Sequence, residues 1–385
     1  MPSESAVLDI LARLIAFDTT SRGSNLALIE WVEAFLSARG VATRRVPNAD
    51  GTKANLHALI GPDVAGGVVL SGHTDVVPID GQPWTSDPWT LTKRDGKFFG
   101  RGTADMKTFL ALALAHVDEA KAANLKRPLI LAFSYDEEIG CFGAPGLIAD
   151  LAALYPRPAA VIVGEPTSMK VLSGHKGVAT VVVTVNGREA HSSQPHRGVS
   201  ANAEALKLMQ FVLRMAEEAL ANAPKDSPFE PPSATLTIGR VEGGTASNIL
   251  ARECTFIWDV RWPPNEDAER YIARFAQEAA KLDAELKQRA PEAGVKWVRR
   301  SYTPSLAPTR AGEAEILARA LTGDNETHVA SYAAEAGLFQ QAEFPVVLCG
   351  PGSIDQAHQP DEWIAEEQIG EGARFMSGLI KRLSA

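Results

Sequence analysis

The chain has 385 residues, 45% hydrophobic and 22% charged, which excludes a disordered or collagen-like polymer. Lys and Arg number 38 against 47 Asp and Glu, and the resulting charge of −9 argues against a generic nucleic-acid-binding or anionic-membrane surface. At about 150 residues per domain, this length suggests two or three domains.

The opening MPSESAVLDI has no basic stretch leading into an apolar one, so no secretory leader is expected. No apolar run approaches the ~18 residues of a membrane span. Cys141, Cys254 and Cys349 are scattered and odd in number, which fits free thiols in a reducing cytoplasm. In chain order, amphipathic helices are expected over 5–17 and 24–39, the second ending at Gly40. A strand VVLSG (68–72), a helix over 105–121, a strand PLILAFS (128–134), a helix over 144–153 and a strand AVIVG (160–164) follow. Strands alternating with helices predict an α/β fold, a mixed and mostly parallel sheet with helices on both faces.

Near residue 177 the pattern changes. VATVVVTVNG (178–187) alternates like a half-buried strand. A helix over 199–221, a Pro-rich loop, strands over 234–241 and 254–262, a helix over 265–288 and a strand over 295–299 complete a ferredoxin-like β-α-β-β-α-β set. A helix over 311–322 and the strand PVVLCG (345–350) then return to the first pattern. The expected organisation is one domain from 1–177 and 300–385, with a second, 178–299, inserted into it.

Four strands of the first domain run into chemistry-bearing residues. VVLSG leads to His73 and Asp75, PLILAFS to Glu137 and Glu138, AVIVG to Glu165, and PVVLCG to a loop holding His358. Open α/β sheets bind ligands at the carboxyl ends of their strands, so these residues are informative as a set. Asp105 lies near the first turn of the 105–121 helix, where a carboxylate is favoured, and a plain helix cap is the alternative. His73 and Asp75, two apart, project to one side of an extended chain, so Asp75 could hold one ring nitrogen while the other binds a metal. A satisfied core histidine is the alternative. Glu137 and Glu138 would point in opposite directions on an extended segment, one towards a metal and one towards substrate, unless they form a solvated loop. Glu165 could be a turn residue before Pro166.

Taking His73, Asp105, Glu138, Glu165 and His358 as ligands brings a charge of about −3 into one concavity, which needs cations. Two divalent ions reverse it to about +1, and ionised Glu137 brings it to about zero. Mixed imidazole and carboxylate donors suit Zn²⁺, Co²⁺ or Mn²⁺. One carboxylate bridging two ions ~3.5–4 Å apart would make a hydrolytic centre.

SGHTDVVP (71–78), GRGTADMK (100–107), YDEE (135–138), GEPT (164–167) and GPGSIDQAHQPDE (350–362) resemble, in order, the motifs of the di-zinc acylase and carboxypeptidase family of metallopeptidases. HKG (175–177), HSSQPHRGV (191–199) and GGTASNI (243–249) look like the branch that deacetylates N-acetyl-L-ornithine in arginine biosynthesis. The resemblance implies two zinc or cobalt ions, one held by His73, Asp105 and Glu165, the other by Asp105, Glu138 and His358. It further implies Asp75 as the residue orienting His73, Glu137 as the general base, and a cis peptide after Asp105. The inserted domain would serve as a lid and a homodimer surface, delivering His191 to a neighbouring subunit's oxyanion. Without the resemblance His191 reads as a loop histidine. Asn248 and Arg261 match substrate contacts more loosely, a turn and a paired strand charge being their alternatives. Glu335, in YAAEAGLF, could meet a substrate's distal ammonium or be a solvated glutamate at a helix start. The implied partner is a small N-acyl amino acid. Related deacylases, dipeptidases and a non-catalytic metal-binding module on the same fold are the competing readings.

Overall fold

The computed structural model describes residues 2–309 and 312–385. The chain divides into two compact units. One comprises Met1–Gly174, Pro308–His328 and Ala334–Ala385, the other His175–Ala307 with Val329–Ala333.

In the first unit the four strands legible in the sequence form the centre of the main sheet. Leu129–Ser134, Val68–His73, Ala160–Val163 and Val346–Leu348 lie side by side in that order, all parallel. Each is an apolar run buried at every position, as expected of strands covered on both faces. Leu70, Leu131 and Ile162 join a large core with the helices Glu4–Ile15, Lys107–Ala115 and Glu366–Leu383, while the alternate residues Val69, Ile130 and Val161 are buried outside that cluster. The sheet's flanks are antiparallel. Ala54–Ile60 pairs with Leu129–Ser134 and with Thr43–Pro47, and Leu172 pairs with Leu348. The strand Ala54–Ile60 was not legible because Asn55 and His57 interrupt its apolar run. Both polar groups are satisfied internally: Asn55 donates to Gly143, and His57 lies between Tyr155 and Asp150.

The predicted 105–121 helix starts at Lys107 and breaks at His116 into Lys107–Ala115 and Val117–Ala122. Every residue from Lys107 to Leu114 is buried, as befits a segment apolar on nearly all sides. Of the expected 311–322 helix, Glu313–Thr322 is helical and closes on left-handed Gly323, and residue 311 lies outside the described residues. A small antiparallel sheet, missed in the sequence, joins Thr92–Arg94, Lys97–Phe99 and Trp363–Ala365.

The second unit holds Gly177–Asn186, Ala201–Ala221, Thr235–Gly243, Glu253–Trp262, Glu269–Arg289 and Gly294–Thr303, the β-α-β-β-α-β order expected. Its strands are all antiparallel, arranged 235–243, 253–262, 177–186, 294–303. Alternate residues Val181, Val183, Phe256 and Trp258 face Leu208, Val212 and Phe275 of the two helices. Among the described residues no helix is long and apolar enough to cross a membrane.

Candidate metal centre

Parallel register aligns the carboxyl ends of the central strands: His73 is opposite Ser134, and Ser71 is opposite Val163. The residues just beyond those ends therefore meet. His73, Asp105 and Glu165 each place a ligand atom within 4.8 Å of the others, and Asp105, Glu138 and His358 do the same. Asp105 belongs to both groups. Its Oδ1 lies 2.9 Å from His73 Nε2 and its Oδ2 3.3 Å from His358 Nε2, which is in turn 3.0 Å from Glu138. Asp105 is no helix cap, since the helix starts two residues later and has no side-chain cap. The Asp105–Met106 peptide is cis.

The donor set fits divalent cations. Glu138 Oε1 and Glu165 Oε1 are buried without a hydrogen-bond partner, although buried carboxylate oxygens are ordinarily paired. In the metal-free chain protons do part of this work. Hydrogen bonds to Asp105 and Glu138 push His358 up to about 11. Burial opposes a charge on Asp105, yet His358 and His73 hold its carboxyl well below the usual range. Burial and the negative charge of Asp105 push Glu165 well up, and burial with Glu138, Asp105 and Asp75 does the same to Glu137, against the pull of His73. A carboxyl so raised is suited to taking and returning a proton near neutrality.

Asp75 corrects one expectation. His73 Nδ1 bonds the main-chain carbonyl of Asp75 at 2.9 Å, while the nearer carboxylate oxygen is 3.7 Å away. The strand ends at His73, so the alternation assumed for i and i+2 does not continue. The Asp75 carboxylate instead accepts the backbone N–H of Glu137 and Glu138 and the Ser21 hydroxyl. It holds the loop that carries Glu137 and Glu138. That loop is also not extended. Asp136 is left-handed and a turn follows, so Glu137 and Glu138 turn to the same charge cluster rather than to opposite sides.

Glu335 is not the solvated glutamate that was the alternative for it. It is fully buried, with one oxygen accepting from Ser71 at 2.8 Å and the other from Ser134 at 2.9 Å. His191, Asn248 and Arg261 belong to the second unit. There His191 and Asn248 are neighbours on exposed segments, Ser192 N–H donating to the Asn248 carbonyl and His191 bridging to Ile249. Arg261 lies 3.5 Å from Asp259 on its own strand.

Sequence reading gave no role to Glu362, the last residue of GPGSIDQAHQPDE. It is buried, with Oε1 accepting from the N–H of Ala104 and Asp105 and Oε2 from Gly102 N–H and Arg101. The available signal was Arg101, a lone arginine in the glycine-rich segment GKFFGRGTADMK, which needs an acidic partner once buried.

A sheet with chemistry at its parallel ends, and two groups of possible metal ligands sharing one aspartate, are features of a metal-dependent hydrolase. Residues 69–382 match peptidase family M20/M25/M40, and the chain belongs to that family. It is 33% identical over 384 residues to an acetylornithine deacetylase of Pasteurella multocida (strain Pm70), covering 97% of each chain. Its fold superposes on an M20 family metallo-carboxypeptidase from Sulfolobus solfataricus with a TM-score of 0.77 at 17% identity, covering 100% of both chains. It superposes on a dinuclear metal binding M20 peptidase from Bacillus subtilis with a TM-score of 0.62 at 16% identity, covering 98% of both.

Proposed function

We propose that this hydrolase removes the acetyl group from N-acetyl-L-ornithine, using two divalent ions, zinc or cobalt. The observation that carries the chemistry is the pair of ligand groups sharing Asp105, with two buried carboxylate oxygens aimed inward and unpartnered. The substrate rests on the 33% identity to an acetylornithine deacetylase over nearly the whole chain.

In this reading His73, Asp105 and Glu165 would hold one ion, and Asp105, Glu138 and His358 would hold the other. When bound, the ions supply Lewis acidity towards the scissile amide and the attacking water. Glu137 takes the proton of that water and returns it to the leaving amine, consistent with its raised carboxyl. Asp75 fixes the backbone of Glu137 and Glu138. His191, from the inserted unit of a second subunit, donates to the developing oxyanion, and Asn248 and Arg261 contact the substrate. The 178–299 domain acts as lid and dimer surface. Leu206, Leu213 and Leu220, seven residues apart on Ala201–Ala221, are half exposed or more, a stripe that suits a second copy of the same helix. Cys254 and Cys349, buried free thiols, suit a cytoplasmic enzyme.

The test is hydrolysis by protein stripped of metal and then titrated with Zn²⁺ or Co²⁺. N-acetyl-L-ornithine, N-succinyl-diaminopimelate and a dipeptide run in parallel. Metal-dependent release of ornithine in preference to the other products is the expected result. The fold likeness to a metallo-carboxypeptidase favours the second reading, a related deacylase or dipeptidase, which metal-dependent turnover of another substrate would select. Two bound ions with no turnover would leave a binding module.

A further inference from the structure

Asp105 and His358 come from distant parts of the chain, yet one buried guanidinium reaches the supports of both. Arg101 is 1% exposed. Its Nη1 donates at 2.7 Å to Glu362 Oε2, and its Nη2 donates at 2.5 Å to Gln82 Oε1. Glu362 is the carboxylate that holds the N–H groups of Gly102, Ala104 and Asp105 at 2.8, 2.8 and 3.0 Å. Gln82 Nε2 donates at 2.9 Å to the main-chain carbonyl of His358. The Gln82 amide has one workable orientation. Its oxygen accepts from both Arg101 and Trp84 Nε1, so a flipped amide would set N–H groups against two donors. The Trp84 ring lies over the guanidinium, 5.0 Å from the ring centroid. The short sheet supplies the register. Trp363 opposite Phe99 brings Glu362 beside Gly100, whose N–H donates to the Glu362 carbonyl.

His358 needs such a support. It is half exposed and has a left-handed φ of +64°, a conformation that costs energy for a side chain other than glycine. We infer that Arg101, with Glu362 and Gln82, forms a positioning clamp that sets Asp105 and His358 at a common spacing and so fixes the affinity of the second metal position. The inference rests on the two-metal reading above. These residues touch no proposed ligand side chain. They act through the backbone of the residues that do, so they are positioning residues, not catalytic ones.

The experiment is a competitive Zn²⁺ titration of metal-free protein against a chelator, together with the melting temperature of the metal-free chain. In wild type two binding steps are expected. In Gln82→Leu, on a partly exposed loop, one step should weaken about 10- to 100-fold, the usual effect of removing a support behind a ligand, while the other step and the metal-free melting temperature hold. In Arg101→Met both steps should weaken, because Asp105 serves both ions. Unchanged steps in Gln82→Leu would overturn the clamp, as would a lowered metal-free melting temperature with unchanged steps. A wild-type chain that binds fewer than two ions would overturn the two-metal reading and the clamp with it.

Discussion

Replacing Gly164 by alanine probes the packing that brings two ligand-bearing segments together. Gly164 precedes Glu165 at the end of the strand Ala160–Val163. A β-carbon there would sit 2.0, 2.2 and 2.3 Å from Cγ, Cδ1 and Cδ2 of Phe109. Carbon atoms pack at about 3.5–4.0 Å, so ring or strand must move by more than an ångström. Phe109 is 1% exposed, and its helix begins two residues after Asp105, so neither partner can move without shifting Asp105 or Glu165. Inserting one methyl into a well-packed core costs about 1–3 kcal/mol, and this clash belongs at the upper end of that range. Urea denaturation followed by circular dichroism should show the midpoint fall at constant slope, and Zn²⁺ content after dialysis should fall with it. Phe109→Ala removes Cγ, Cδ1 and Cδ2, the three atoms of the clash, so the double variant should be more stable than the two single losses added together. Gly164→Ala within about 0.5 kcal/mol of wild type, or strict additivity with Phe109→Ala, would refute the argument.

Glu137→Gln should lower the rate about 10²–10⁴-fold while leaving metal content unchanged, and near-wild-type turnover would remove Glu137 as the base. Glu335→Gln should destabilise the chain by about 1–3 kcal/mol through its Ser71 and Ser134 bonds. A raised KM with unchanged stability would instead mark Glu335 as a substrate contact. Burial lowers His175 from 6.5 to about 4, so protonation favours the unfolded chain. Stability from this group is intact above pH 6.5 and falls by about 3 kcal/mol as the pH drops to 4. His175→Gln should flatten that part of the urea-midpoint profile, and parallel profiles would refute the assignment.

The parallel centre of the sheet was legible because strands buried on both faces are continuous apolar runs. Their ends were legible because His73, Glu137, Glu138 and Glu165 follow those runs directly. The flanking strand at Ala54–Ile60 was not, because the partners that let Asn55 and His57 be buried, Gly143, Tyr155 and Asp150, lie about 90 residues or more away. The role of Asp75 was legible only in part. Spacing placed it beside His73, but the direction of its carboxylate depends on where the Glu137–Glu138 backbone passes, which no local pattern encodes.

The same limit applies to the buried glutamates, which look alike in the sequence. Glu138, Glu165, Glu335 and Glu362 all lie near Gly-, Ser- or Pro-containing turns, and all are drawn into the interior of one unit. What separates them is the state of each oxygen. Both oxygens of Glu335 accept from hydroxyls, and both of Glu362 accept from main-chain N–H groups, with Arg101 added at one of them. The oxygens of those carboxylates are supplied with donors by the protein itself. Glu138 and Glu165 each keep one buried oxygen without a donor. An orphaned buried carboxylate oxygen costs free energy unless something outside the chain completes it. Two such oxygens, each in a group with Asp105 and a histidine, are places where a cation would complete the donor set. The distinction between ligand and scaffold therefore lies in hydrogen-bond satisfaction rather than in residue type, and it appears only once the fold has brought the donors into place.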